Sequence, residues 1–104
     1  TVEFVEIKNV VITLKGNGDT ERYLLLELNL ATSSTEDASK ARDMIPAVRG
    51  ATVSLLSDLD YDDVRAMSVN QLHDKLQAAY VERFKSLKMD VPFEDVIISK
   101  MVFQ

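Results

Sequence analysis

Arg22-Tyr23-Leu24-Leu25-Leu26-Glu27-Leu28-Asn29-Leu30-Ala31 sets a leucine at every second position from Leu24 to Leu30. Successive side chains of a strand point to opposite faces, so Leu24, Leu26, Leu28 and Leu30 share one face while Tyr23, Leu25, Glu27 and Asn29 share the other. A continuous leucine face has to be covered, which predicts a sheet with helices laid against it. Upstream, Val2 to Leu14 (VEFVEIKNVVITL) is rich in β-branched and aromatic residues and reads as the pairing strand. Its alternation fails at Val10-Val11-Ile12, which calls for either a bulge or a strand buried on both faces. Lys15-Gly16-Asn17-Gly18-Asp19 joins the two strands as a hairpin turn, with Asn17-Gly18 the strongest local signal.

Downstream of the leucine strand the periodicity changes. Ala31 to Asp37 is a polar helix entry, with Ser33 and Glu36, or Ser34 and Asp37, at capping-box spacing. Ala38, Ala41, Ile45, Val48, Thr52, Leu55 and Leu56 then recur at helical intervals. Pro46 interrupts them, so the helix either kinks between Met44 and Ala47 or splits with Pro46 in the first turn of a second helix. Ser68-Val69-Asn70-Gln71 is another capping box. It opens a helix striped by Val69, Leu72, Leu76, Ala79 or Tyr80, Arg83 or Phe84, and Leu87, with Arg83, Lys85 and Lys88 at its basic end. Val91-Pro92 stops the helical run. Asp95 to Gln104 is a strand with Val96, Ile98 and Val102 on one side and Ile97, Met101 and Phe103 on the other. Such an apolar strand is expected inside the sheet or paired with a neighbour. The chain thus reads as a single α+β domain, 1–104: a sheet formed by an N-terminal hairpin and the C-terminal strand, packed against two or three helices.

Composition excludes whole classes of function. Seventeen acidic against twelve basic residues give a net charge of −5, which opposes binding to nucleic acid. With no cysteine, disulfides, thiolate metal sites and cysteine nucleophiles are absent. A domain of 104 residues with 46% apolar side chains buries enough core to fold without a metal. No stretch reaches the roughly 18 to 20 apolar residues of a membrane span. The chain opens on Thr1 rather than Met, and an anchor preceding it is expected.

The acidic stretch Ser57-Asp58-Leu59-Asp60-Tyr61-Asp62-Asp63 is the main candidate for chemistry. Asp58, Asp60 and Asp62 match the first three alternating ligands of an EF-hand loop, but Asp63 and Val69 stand where that loop needs its glycine and its bidentate glutamate. The acids are better read as a helix entry, with Asp60 accepting from first-turn N–H groups and Leu59 and Tyr61 turned inward. An acidic docking surface for a basic partner is the competing reading. His73, the only histidine, has Ser68 and Asp74 nearby without triad spacing and reads as structural. Gly16 and Gly18 lack phosphate-loop spacing, and the four methionines are too few to form a binding groove. No catalytic residue, cofactor or metal site is expected.

In order along the chain, Asn9 to Leu14, Arg22-Tyr23-Leu24, Ile45-Pro46-Ala47-Val48-Arg49, Leu55-Leu56-Ser57 and the closing Val102-Phe103-Gln104 resemble the family of the flagellar basal body-associated protein FliL. The resemblance is collinear over most of the chain. Gly50 departs from it where an acidic residue is usual, as does Ser68-Val69-Asn70-Gln71 before the last helix, which fits a divergent or system-specific branch. The resemblance implies a transmembrane protein of the bacterial inner membrane, with one span before Thr1 and this domain in the periplasm at the flagellar basal body. It implies a fold similar to stomatin and prohibitin domains, and partners among stator and basal-body proteins. A homo-oligomeric ring would support torque, swimming and swarming. It also implies a protein that is not an enzyme and takes no cofactor. The alternative is a stomatin-like membrane-associated scaffold without flagellar association. Arg49, Asp58, Asp62, Leu25 and Phe103 are the candidate partner-binding residues. Arg49 would act either as an outward ion-pair donor or as a brace for the helix start.

Overall fold

The computed structural model describes residues 2–18 and 20–104. Asp19, in the predicted hairpin turn, and Thr1 lie outside the described residues. The elements run β1 (Glu3–Leu14), β2 (Arg22–Thr32), α1 (Thr35–Asp43), α2 (Ile45–Leu56), α3 (Tyr61–Ala66), α4 (Val69–Ser86) and β3 (Asp95–Phe103). The three strands form one antiparallel sheet in the order β1-β2-β3, so the leucine strand is central and the expected α+β architecture stands. Extents of 46 × 26 × 20 Å leave room for one sheet and one helix layer, and the core lies between them.

Leu24, Leu26, Leu28 and Leu30 are fully buried, and the register places Ile12, Val10, Ile7 and Val5 beside them on β1. From the helices come Ala38 and Ala41, Val48 and Leu56, and the stripe Leu72, Leu76, Tyr80 and Phe84. In α4 the stripe thus takes Tyr80 over Ala79 and Phe84 over Arg83, while Val69 and Leu87 stay exposed beyond its ends. Phe93 closes the far end of the core with edge-to-face contacts to Tyr80 at 5.8 Å and Phe84 at 5.9 Å.

Local chemistry explains where each helix starts. Ser34 Oγ accepts from Asp37 N at 3.0 Å, which selects Ser34 over Ser33 as the cap of α1. At Pro46 the helix splits: α1 ends at Asp43 and α2 begins at Ile45 with proline in its first turn, where its missing N–H leaves no bond unmade. The Ser68–Gln71 capping box is complete, with Gln71 N donating to Ser68 Oγ at 3.0 Å and Ser68 N donating to Gln71 Oε1 at 2.8 Å.

Three expectations need correction. Met101 and Phe103 turn toward the core with Val96 and Ile98, whereas Val102 faces outward. An extra residue, Ser99, shifts the β2–β3 register between Glu27 and Leu28 and reverses the parity of everything after it. Asp60 precedes α3, but its carboxylate makes no capping hydrogen bond; its backbone carbonyl accepts from Val64 N instead. The transmembrane expectation is also overturned for these residues: among those described, no helix is long and apolar enough to cross a membrane.

β1 carries the matching irregularity. Its register jumps between Ile7 and Val10, so Lys8 and Asn9 form a bulge, with Asn9 at φ +57°, a left-handed conformation that asparagine tolerates better than most residues. Val10 is buried and Val11 exposed. The run of branched residues is therefore a bulge, not a strand buried on both faces.

Candidate functional site

Arg49 lies half-buried in the second turn of α2, facing the β1 bulge. Its Nη1 donates to the Asn9 carbonyl at 3.2 Å and its Nη2 to the Lys8 carbonyl at 3.1 Å. A bulge withdraws backbone groups from the ladder, and the planar guanidinium fork meets two of them at once. The geometry is that of a brace between helix layer and sheet. At the next residue, Gly50, a Cβ would come within 3.2 Å of Arg83 Nη1, so this glycine lets α2 and α4 approach with Arg83 lying across it.

The acidic stretch sits against the end of the hairpin. Tyr61 N donates to the Lys15 carbonyl at 2.8 Å and Lys15 N to the Leu59 carbonyl at 3.4 Å, which extends β1 by one bridge. Tyr61 is buried, with the Arg22 guanidinium 3.8 Å above its ring and Arg65 Nη1 donating to its hydroxyl at 2.8 Å. Phe103 meets Tyr61 edge to face at 5.6 Å and packs against the core. A cavity of about 310 Å³ opens here between Lys15, Arg22, Asp60, Asp62 and Asp63. Asp62 is exposed at its lip, whereas Asp58 is exposed in the preceding turn and does not line it. Among the described residues no group of three His, Asp or Glu side chains is placed to hold a metal.

His73 joins α4 to β3. Its Nε2 lies 2.6 Å from Asp95 Oδ1 and its Nδ1 2.9 Å from Asp74 Oδ1. Carboxylates only accept, so an imidazole held between two of them is favoured as the cation. The Asp95 hydrogen bond first and the Asp74 bond second raise its pKa above the ordinary 6.5. Sequence spacing concealed this clamp, because Asp95 is 22 residues away. With both nitrogens engaged, the ring has none free to serve as a general base.

The sheet face opposite the helices is open. The register sets Val11, Leu25 and Val102 in one row across all three strands. Phe4, opposite Ala31, and Ile97, opposite Asn29, extend that face toward the other end. The structure thus gathers Leu25 with other apolar side chains and keeps it apart from Arg49, Phe103 and the acidic turn.

Residues 4–104 match the family of the flagellar basal body-associated protein FliL, and the chain belongs to that family. It matches no curated protein.

Proposed function

We propose that this chain is a periplasmic interaction domain of the bacterial flagellar motor. It associates with stator and basal-body proteins beside the inner membrane and supports torque, swimming and swarming through a homo-oligomeric ring. The observation that carries the reading is the family match over residues 4–104, which takes in the whole fold but the first residue of β1. The site chemistry supports a structural role: His73 is clamped, the acids of the turn are solvated or bridged by backbone, and the open sheet face carries Phe4, Val11 and Ile97 exposed. Leu25, Asp58 and Asp62 are the side chains this reading offers to partners. The likeness to stomatin and prohibitin domains belongs to the same proposal.

Affinity capture from a motile bacterium with the folded domain as bait tests it. Recovery of stator and basal-body proteins is expected. Their absence, with the bait shown to be folded, would overturn the motor assignment.

A further inference from the structure

Asn17-Gly18 lies in the β1–β2 connection, and neither the core nor the proposed function uses its side chain. β1 ends at Leu14 and β2 begins at Arg22, so the connection is longer than the two-residue hairpin an asparagine-glycine pair usually makes. That short hairpin holds both residues at positive φ. Here Gly18 has φ +68°, whereas the non-glycine residues at positive φ among those described are Asn9 and Lys88, and Asn17 is not one of them. The pair therefore stands outside the tight, strand-locked turn.

The neighbouring residues set it out in water. A Cβ at Gly16 would collide with the Thr20 carbonyl oxygen, so the chain closes on itself there and the residues after Gly16 project. Asn17 and Gly18 are both exposed, and among the described residues nothing comes within 4 Å of where a Gly18 side chain would begin. Asn17 also lines the cavity it shares with Lys15, Arg22, Asp60, Asp62 and Asp63.

This pairing places an electrophile and a nucleophile in one short segment. Joining the Gly18 amide nitrogen to the Asn17 side-chain carbonyl carbon closes a five-membered ring. Glycine leaves that nitrogen unshielded and the backbone free to turn into the attacking geometry. The nitrogen–carbon bond forms, the Cγ–Nδ2 bond breaks, and ammonia leaves with the proton the Gly18 nitrogen gave up. One water then opens the cyclic imide at either carbonyl. The product is aspartate, or isoaspartate where the main chain runs through the former side chain. No electrons are exchanged, and water is the sole added reactant.

We infer that Asn17 is a site of spontaneous covalent modification, deamidated by water through a cyclic imide formed with Gly18. The change adds one negative charge to a chain of net charge −5 and sets another carboxylate in the cavity lined by Asp60, Asp62 and Asp63. The isoaspartate form also lengthens the loop backbone by a methylene. The three other asparagines are held against the same reaction. The Asn9 carbonyl accepts from Arg49 and is followed by the buried, branched Val10. Asn29 is paired within the central strand, where its Nδ2 donates to Ser99 Oγ. Asn70 lies in the first turn of α4, before Gln71, whose N–H donates to Ser68 Oγ.

Incubation of the 104-residue chain at pH of about 9, followed by peptide mapping with mass detection, tests it. The peptide holding Asn17 is expected to become about 1 Da heavier and to separate into two products, while those holding Asn9, Asn29 and Asn70 stay unchanged. Gly18→Ala should slow the conversion at least about tenfold, because a Cβ shields the nitrogen and disfavours positive φ. Circular dichroism verifies that this variant is folded; if it is not, Asn17→Gln, whose ring would need six members, gives the same reading. The urea-unfolded chain supplies the reference rate. Conversion of Asn17 more than about tenfold slower in the folded chain than in the unfolded one overturns the inference, because the fold then protects the pair. So does conversion of Asn9, Asn29 or Asn70 at the rate of Asn17 in the folded chain, or a folded Gly18→Ala chain that deamidates as fast as wild type.

Discussion

Arg49→Ala tests how the helix layer is fastened to the sheet. The guanidinium donates at 3.2 Å and 3.1 Å to the carbonyls of Asn9 and Lys8, at the point where β1 loses register with β2. A hydrogen bond from a charged donor contributes about 1.5 to 3 kcal/mol where water is excluded. Here the arginine is half-open to solvent and the freed carbonyls can rehydrate, so the two bonds together are worth about 1 to 2 kcal/mol. In a domain of this size 1 kcal/mol moves the melting midpoint by about 4 to 8 °C, and a loss of about 5 to 15 °C is expected. Arg49→Lys places one point donor where a fork stood and should recover about half of the loss.

Thermal melts by circular dichroism at low and high salt supply a second discriminator. The acceptors are neutral carbonyls, so the destabilisation should persist at high salt, where the contribution of an exposed ion pair would fade. Midpoints within about 1 °C of wild type in both salts would refute the brace, because they fall well below the range worked out above. Equal stability combined with impaired motility in cells would instead place Arg49 at a partner surface.

Thr52 Oγ1 lies 2.7 Å from the Tyr80 hydroxyl and donates at 2.8 Å to the Val48 carbonyl, all in the dry core, so Thr52→Val leaves the phenol unpaired and should cost about 1 to 3 kcal/mol by urea melts. The double variant with Tyr80→Phe should lose less than the sum of the single losses. Burial pushes the Tyr80 pKa up to about 12, against the opposing pull of the Thr52 bond. This raised folded value means that its share of stability is complete below the ordinary value of about 10 and lost as pH rises toward the folded one, so alkaline unfolding should be delayed in Tyr80→Phe. For His73 the folded pKa is likewise raised, by Asp95 first and Asp74 second. The stability gap between wild type and His73→Gln should therefore be full below pH of about 6.5 and close as pH rises through the folded value; a gap that widened with pH would contradict the clamp. Lys88 follows α4 at φ +58° while Met89 N donates back to the Phe84 carbonyl at 3.1 Å, the position where helices favour glycine, and Lys88→Gly should stabilise by about 1 kcal/mol in chemical melts.

The two bulges explain both what the sequence disclosed and what it hid. Leucine alternation in β2 and the four-residue stripe of α4 are local periodicities, and both survive intact. The β1 bulge left a trace because Val10-Val11-Ile12 put three branched residues together, so one had to face water. At Ser99 no trace existed: Ile97, Ile98, Met101, Val102 and Phe103 place apolar residues on both parities, and only pairing with β2 shows which set is inside. Arg49 and His73 act over 40 and 22 residues, beyond any local signal, and the inward side of the acidic turn needed the hairpin end beside it. Both bulges fall at one level of β2, beside Glu27 and Leu28. Each is satisfied from its own side, by Arg49 on β1 and on β3 by Ser99 Oγ donating at 3.1 Å to the Glu27 carbonyl. Bulges bend a strand and increase its twist, so this shared level is where the sheet curves, with the Leu28 side against the helices and the Glu27 side outward. The bend turns Val11 and Val102 outward beside Leu25, because each bulge reverses the parity of the residues beyond it. Without the β1 bulge, the alternation set by Val5 and Ile7 would carry Val11 inward; were β3 to alternate regularly through Ser99 instead of bulging there, Val102 would share the core face with Val96 and Ile98. The apolar row on the open face is therefore a consequence of the two register shifts. Deleting Ser99 takes out the extra residue itself, so unbroken alternation from Ile98 should keep Lys100 and Val102 outward and Met101 and Phe103 inward. The melting midpoint should fall by no more than the loss of the Ser99 hydrogen bonds, a larger fall refuting this reading.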